Sequence, residues 1–315
     1  MTKFAFVFPG QGSQALKMMD GFANLDVVKN TFDQASQVLD VDFWAMLQEE
    51  TAENINQTIN TQPLLLTASY ATYLAWLEVS NSKYPNLVAG HSLGEYSALV
   101  ASNVLSFVDA LKLVRHRAEY MQDAVQPGSG AMAAVLGLAD ELVIEGCAEV
   151  MASGIGVVQG VNFNSQGQVV IAGNKVAVEK AAEVLKAKGA RKVMLLPVSV
   201  PSHCDLMKPA AEKLAKELET VTFNQPKIPV VQNVNAQIAT SIDELKDGLV
   251  KQLYSPVLWT KSVQTLAANQ VDIIVECGPG KVLSGLNKRI HETAQLFNFN
   301  SPETILALQN RLNEI

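Results

Sequence analysis

Gly90-His91-Ser92-Leu93-Gly94 sets a glycine two residues to either side of a serine, the G-x-S-x-G spacing of a nucleophile elbow. Small residues at those two places let a chain leaving a strand reverse sharply into a helix. The hydroxyl then stands clear of the sheet at a helix amino terminus. Leu87 to Ala89 supplies the strand before, and Leu93 to Ser102 the helix after. An acyl group attacked at Ser92 develops negative charge beside the Leu93 amide and a second donor from another loop, each worth about 3 to 4 kcal/mol.

A serine needs a base, and the chain has four histidines: His91, His116, His203 and His291. His91 adjoins the serine and is expected to point away from it. His116 lies mid-helix near Glu119, and His291 sits in a polar stretch near the carboxyl end. His203, in Pro201-Ser202-His203-Cys204-Asp205, follows a strand read as part of the main sheet, where α/β folds collect catalytic groups. His203 is therefore the favoured base. A triad acid should lie between Ser92 and His203. None stands out, because Asp109, Asp123 and Asp140 read as helix caps or first-turn acids. A Ser-His pair whose imidazole is oriented by a backbone carbonyl fits what remains.

Arg117 is the third candidate. It lies on a helix opened by Ser106 and Asp109 in an S-x-x-D capping pattern, and its neighbours three and four residues away are Leu113, Val114, Tyr120 and Met121, all uncharged. Arg115 on the same helix has Glu119 four residues on and reads as an ordinary solvated pair. A guanidinium keeps its proton, so Arg117 requires an anion, either a distant acid of the fold or the carboxylate of a substrate.

Two glycine turns imply less. Gly10-Gln11-Gly12-Ser13-Gln14-Ala15 follows a strand and satisfies G-x-G-x-x-G/A, but its acidic partner would be Asp33 or Asp40, at a stretch (Val27 to Leu39) that reads as helix. A structural turn explains it better than a dinucleotide. Gly278-Pro279-Gly280-Lys281 is no phosphate loop, since Val275 and Val282 stand where Gly and Ser/Thr are needed.

The elements that must position these residues alternate between β-rich and helical runs, the pattern of an α/β fold with a mainly parallel sheet. Strands are expected at Phe4 to Phe8, Leu87 to Ala89, Val193 to Val198, Ile228 to Val231 and Ile273 to Val275, and helices at Pro63 to Val79, Ser106 to Gln122, Leu206 to Leu218 and Val257 to Asn269. Between Pro127 and Pro197 the order changes to strand (131–136), helix (140–151), strand (156–162), strand (168–172), helix (175–186), strand (191–196), the ferredoxin-like β-α-β-β-α-β order. The expected organisation is a core of residues 1–127 and 198–315 with an inserted small domain at 128–197, and a binding cleft between the two.

Composition narrows the function classes. With 24 Lys and Arg against 31 Asp and Glu, the net charge is −7, which argues against nucleic acid. Three scattered cysteines, Cys147, Cys204 and Cys277, suit neither a disulfide framework nor a Cys-rich zinc site, so no metal and a reducing cytoplasm are expected. The apolar run Phe4 to Phe8 is too short for a secretory segment, and the uncharged run Asn54 to Leu77 is broken by polar residues and Pro63, so no membrane span is expected.

From Phe8 to about Arg289 the chain resembles the malonyl-CoA:acyl-carrier-protein transacylases and the acyltransferase domains of fatty-acid and polyketide synthases. The resemblance is carried, in order, by Phe8-Pro9-Gly10-Gln11-Gly12-Ser13-Gln14, Gly90-His91-Ser92-Leu93-Gly94-Glu95-Tyr96, Arg117, Pro201-Ser202-His203, Gln252-Leu253-Tyr254 and Cys277-Gly278-Pro279-Gly280. It implies a hydrolase-like core with a ferredoxin-like insert. It also implies Ser92 as nucleophile, His203 as base, Arg117 as the malonate clamp, the amides of Gln11 and Leu93 as oxyanion donors, and Gln252 as the residue whose main-chain carbonyl orients the histidine. The implied activity is ping-pong malonyl transfer from malonyl-CoA to the phosphopantetheine thiol of acyl carrier protein, without a cofactor, by a monomer. Acyl carrier proteins of such systems are acidic, so docking calls for a basic patch: Lys186, Lys188, Arg191 and Lys192, or Lys281, Lys288 and Arg289. The alternatives are a serine thioesterase or esterase using the same Ser-His pair, and a non-catalytic carrier-protein binding subunit.

Overall fold

The computed structural model describes residues 2–198 and 200–314; Met1, Ser199 and Ile315, which fall inside the expected core spans, lie outside the described residues. The strands are β1 (Lys3–Phe8), β2 (Leu87–Gly90), β3 (Gly130–Leu136), β4 (Val158–Ser165), β5 (Gln168–Asn174), β6 (Lys192–Leu195), β7 (Val230–Val231), β8 (Val271–Cys277) and β9 (Gln295–Phe299). The helices are α1 (Asp26–Leu39), α2 (Phe43–Leu47), α3 (Thr58–Val79), α4 (Gly94–Ala101), α5 (Phe107–Asp123), α6 (Asp140–Ala152), α7 (Lys175–Ala187), α8 (Lys208–Leu218), α9 (Ile242–Gln252), α10 (Trp259–Ala268), α11 (Val282–Ile290) and α12 (Pro302–Asn313). No described helix is long and apolar enough to cross a membrane.

Five strands form one parallel sheet in the order β7-β2-β1-β8-β9. The sequence of β1 explains why both faces are covered. Phe4, Phe6 and Phe8 point to one side, where they pack with helices α3 and α4, and Ala5 and Val7 point to the other, against residues of α10 and α11. On the first face Phe6 meets Tyr73, Trp76 and Phe299 edge to face at ring separations of 6.0, 5.7 and 5.6 Å. The second sheet is antiparallel, in the order β4-β5-β3-β6, with α6 and α7 packed on one face. Its other face, Met132, Val170 and Ala172, meets Leu196, Val198, Cys204 and Leu206, so those four side chains rest on the small sheet. The sheets are tied where the Phe163 amide donates to Val257 and the Val257 amide to Val161, at 3.0 and 2.9 Å.

Four expectations are corrected. The segment expected both at Val193 to Val198 in the main sheet and at 191–196 in the insert is the strand Lys192–Leu195, which pairs with β3 in the small sheet; the main-sheet expectation fails because the chain's partner there is β3, and the strand stops short of Pro197, which has no amide to give a ladder. Helix α3 begins at Thr58 rather than at Pro63, which sits inside it. A proline there cannot donate to the Ile59 carbonyl, and Arg115 Nη1 takes that acceptor instead at 3.3 Å. Asp123 is the last residue of α5, not a first-turn acid, and pairs with Lys213 at 3.6 Å. The strand near Ile228 is confined to Val230–Val231.

Candidate active site

Ser92 sits between the end of β2 and the start of α4 with φ +52°, the left-handed region that costs a non-glycine residue on the order of 1 to 3 kcal/mol. The elbow is closed so tightly that a β-carbon on Gly90 would overlap the Gly94 backbone, and one on Gly94 would overlap the Phe8 carbonyl. Asn233 clasps both sides of the turn. Its Oδ1 accepts from the Ser92 amide at 2.7 Å, and its Nδ2 donates to the Gly90 carbonyl at 2.6 Å.

His203 comes from the loop between β6 and α8 and is itself left-handed, with φ +66°. Its amide donates to the Leu253 carbonyl at 3.0 Å, and Cys204 beside it is anchored against the small sheet. The ring lies between two partners: Nδ1 is 2.6 Å from the Gln252 carbonyl and Nε2 is 2.7 Å from Ser92 Oγ. A carbonyl can only accept, so Nδ1 carries the proton and Nε2 faces the serine as an acceptor. Burial, and after it the Arg117 charge, holds the imidazole down to about 3, well below the usual histidine value. It is therefore a neutral base at neutral pH.

Arg117 is 1% exposed and makes no ion pair with a carboxylate of the described residues. The distant acid that its company demanded is not in contact. Instead Nη1 donates to Gln62 Oε1 at 2.7 Å, and Nη2 donates to Gln252 Oε1 at 2.9 Å and to Ser92 Oγ at 3.3 Å, while Nε has no partner among the described residues. The Tyr96 ring lies 5.5 Å from the guanidinium carbon. The helix itself starts as expected, with Ser106 Oγ accepting from the Asp109 amide at 3.0 Å, and Arg115 pairs with Glu119 at 3.0 Å.

Ser92, His203, Arg117, Gln11 and Leu93 line one cavity of about 110 Å³, together with Gln62, His91, Met121 and Asn162. Among the described residues neither the Gln11 nor the Leu93 amide donates to a protein acceptor. Those two N–H groups and the guanidinium make the cavity a place where a carbonyl oxygen gaining charge and a free carboxylate can both be held. Gln252 contributes at two levels: its carbonyl holds the base and its side chain holds the arginine. The remaining histidines lie elsewhere in the hydrogen-bond pattern. His91 meets Asn164 Oδ1 at 2.8 Å, His116 meets Glu217 on α8 at 2.6 Å, and His291 meets the Val271 carbonyl at 3.1 Å.

Three site residues were not singled out from the sequence: Gln62, Asn233 and Glu95. Glu95 lies in the interval searched for an acid, on a helix otherwise made of uncharged residues. The test of company that marked Arg117 would have marked it too. It is 1% exposed and touches Gln252 rather than His203: its Oε2 accepts from Gln252 Nε2 at 2.8 Å and from the Asn233 amide at 3.2 Å. Among the described residues no group of three or more His, Cys, Asp or Glu could hold a metal ion.

The sequence profile of the acyl transferase domain matches residues 5–300. The chain is 54% identical over 308 residues to the malonyl CoA-acyl carrier protein transacylase of Escherichia coli K12, covering 98% of this chain and 99% of that one. Among solved structures it is similar to an acyl carrier protein S-malonyltransferase from Vibrio cholerae, at TM-score 0.94 and 51% identity over 98% of this chain and 100% of that one. It is also similar to a malonyl-transacylase in complex with a type II PKS acyl-carrier protein, at TM-score 0.96 and 48% identity over 98% of this chain and 100% of that one.

Proposed function

The chain belongs to the acyl transferase domain family, and from that premise we propose that Ser92 carries a malonyl group from malonyl-CoA to the phosphopantetheine thiol of acyl carrier protein, with His203 as its base. One observation carries the reading: the serine that His203 can deprotonate also accepts from Arg117, so an acyl group built on Oγ forms within reach of a guanidinium. Of simple acyl groups, one with a terminal carboxylate benefits from that placement.

Ser92 Oγ gives its proton to His203 Nε2 and attacks the thioester carbonyl. Negative charge on the tetrahedral oxygen is met by the Gln11 and Leu93 amides. His203, its Nδ1–H held by the Gln252 carbonyl, returns the proton to the departing CoA sulfur, leaving malonyl-serine and free thiol. The second half runs in reverse: the carrier thiol gives its proton to His203 and attacks the ester, and the proton returns to Ser92 Oγ. Protons balance over the cycle, and the reading calls on no cofactor.

The carrier protein, acidic in such systems, would dock on exposed basic residues: Lys281, Lys288 and Arg289, or Lys186, Arg191 and Lys192 with the half-buried Lys188. Lys188 is already paired with Glu149 at 3.3 Å, which favours the first group. A monomer is part of the reading, since Ser92, His203, Arg117, Gln11, Leu93 and Gln252 of a single chain suffice for the chemistry and no second copy is called on. A cytoplasmic enzyme of fatty-acid synthesis, with residues 128–197 as an inserted domain, completes the reading.

Intact-mass analysis after incubation with malonyl-CoA, on wild type and Ser92→Ala, followed by holo acyl carrier protein, tests it. A malonyl adduct on wild type alone that moves to the carrier thiol is expected. An adduct lost only to water would make the protein a thioesterase, and no adduct would make it a binding subunit.

A further inference from the structure

Arg117 and Glu95 are each 1% exposed and carry opposite charges, yet they do not touch. One side chain lies between them. Gln252 Oε1 accepts from Arg117 Nη2 at 2.9 Å while Gln252 Nε2 donates to Glu95 Oε2 at 2.8 Å. The chemistry fixes the amide's orientation, because a guanidinium can only donate, and the carboxylate end needs a donor. Gln252 Nε2 also reaches the Ser92 carbonyl at 3.0 Å, so the whole bridge is held against the elbow.

A buried guanidinium without a compensating charge is strongly disfavoured, and a buried carboxylate likewise. Each here supplies what the other lacks, at the distance of one amide. We propose that Glu95 is the counter-ion of Arg117, acting through the Gln252 side chain, and that its charge weakens the grip of Arg117 on the malonyl carboxylate so that the group can be passed on. The inference rests on Arg117 holding that carboxylate. A second anion brought to Arg117 is repelled by the one already behind Gln252, so malonyl binding is looser than the guanidinium alone would make it. Glu95 Oε1 has no partner among the described residues, and burial pushes the carboxyl up to about 7, so an added negative charge nearby favours taking up a proton.

The other ionisable groups around Glu95 do not mimic this behaviour. Of the elements packed on α4, β2 has none, and β1 has Lys3 at its far end. Helix α3 has Tyr70 and Tyr73, whose hydroxyls burial pushes up, and Glu78 in its last turn. Helix α5 brings Arg117, burial holds the nearby His91 and His203 low so that both are neutral at the pH of the test, and Tyr96 beside Glu95 is likewise pushed up by burial.

Transfer to holo acyl carrier protein at pH 8 is measured with malonyl-CoA and with acetyl-CoA, for wild type, Glu95→Gln, Glu95→Asp and Arg117→Ala, with a thermal melt of each. Glu95→Gln keeps an acceptor for Gln252 but removes the charge, and is expected to lower the malonyl-CoA KM about three- to tenfold relative to the acetyl-CoA KM. Glu95→Asp keeps the charge and should keep the ratio of the malonyl-CoA and acetyl-CoA KM values close to that of wild type. An equal shift on both substrates, no shift, or a raised malonyl-CoA KM would overturn the counter-ion. If Arg117→Ala leaves the malonyl/acetyl ratio unchanged, the clamp itself has failed. If it moves the ratio while Glu95→Gln does not, only the present inference has. Should Glu95→Gln not fold, calorimetry of wild type at pH 7 in buffers of different ionisation enthalpy decides: proton uptake on loading malonyl but not acetyl supports the proposal, and equal uptake refutes it.

Discussion

Lowering the pH separates this serine-histidine pair from one with an ordinary histidine. Burial and the nearby Arg117 charge hold His203 at about 3, and only the neutral imidazole can accept the Ser92 proton. At pH 5 a histidine with an unperturbed value would be about 3% neutral, whereas His203 remains about 99% neutral, a difference of roughly thirtyfold in the active fraction. The assay is the single-turnover rate of Ser92 acetylation by acetyl-CoA at low substrate, from pH 8 down to pH 4.5. Acetyl-CoA avoids the malonyl carboxylate. The rate should stay within a few fold across that range, with any shallow change near 7 due to Glu95. Stability moves the other way. The folded-state value lies below the unfolded one, so between about 6.5 and 3 the unfolded chain binds the extra proton and stability falls as the pH is lowered. The loss reaches about 2 kcal/mol at pH 5. Melting curves at each pH therefore accompany the rates. A tenfold loss of rate per pH unit beginning near 6.5, in protein that is still folded, would refute the reasoning.

Arg117→Ala should cost malonyl transfer about 1.5 to 3 kcal/mol, or roughly ten- to a hundredfold in kcat/KM, while acetyl transfer rises relative to it; steady-state comparison of the two thioesters checks this. Gly94→Ala forces a β-carbon into the Phe8 carbonyl and should give protein that is insoluble or melts far below wild type in a thermal scan, whatever its substrate. Reversing the charges of Lys288 and Arg289 should raise the KM for acyl carrier protein while leaving that for malonyl-CoA unchanged, and an unaffected carrier KM would remove that patch as the dock. Arg289 also donates to Gln168 Oε1 at 3.2 Å, so a melt should accompany the kinetics.

Local chemistry was legible where one residue type serves a position that no other could. The glycines of the elbow, the apolar strand at Phe4 to Phe8, and the β-α-β-β-α-β order between Pro127 and Pro197 could all be read from spacing, and the sheets and helices follow them closely. What could not be read was decided by contacts far apart in the chain. Residues 192–195 have the same apolar character whether they pair in the large sheet or the small one, and only their partner β3 settles it. The edge strand β9, Gln-Leu-Phe-Asn-Phe, is short and mixed, and gains its place from pairing with β8. Pro63 reads as a helix start by its missing donor, yet Arg115, 52 residues on, makes that vacancy harmless inside the helix. Gln62, Asn233 and Glu95 are polar residues of ordinary appearance whose importance lies in facing Arg117, Ser92 and Gln252.

The missing triad acid and the buried arginine are one feature. A carboxylate at His203 Nδ1 would stand where the Gln252 carbonyl now stands, within the neighbourhood of a guanidinium whose Nη2 already reaches the Gln252 side chain at 2.9 Å. Such an acid would strengthen the base, but it would also offer Arg117 a permanent partner in a buried site, where charge pairs are strong. The malonyl carboxylate would then have to displace it. A neutral carbonyl orients the imidazole without competing for the cation, and the Glu95 carboxylate is set behind the Gln252 amide, where it does not occupy the donors of Arg117. Burial, and after it the Arg117 charge, holds the His203 value down, while the bond from its Nδ1–H to the Gln252 carbonyl works the other way, so the imidazole stays neutral beside the cation and the donors of Arg117 meet no carboxylate among the described residues.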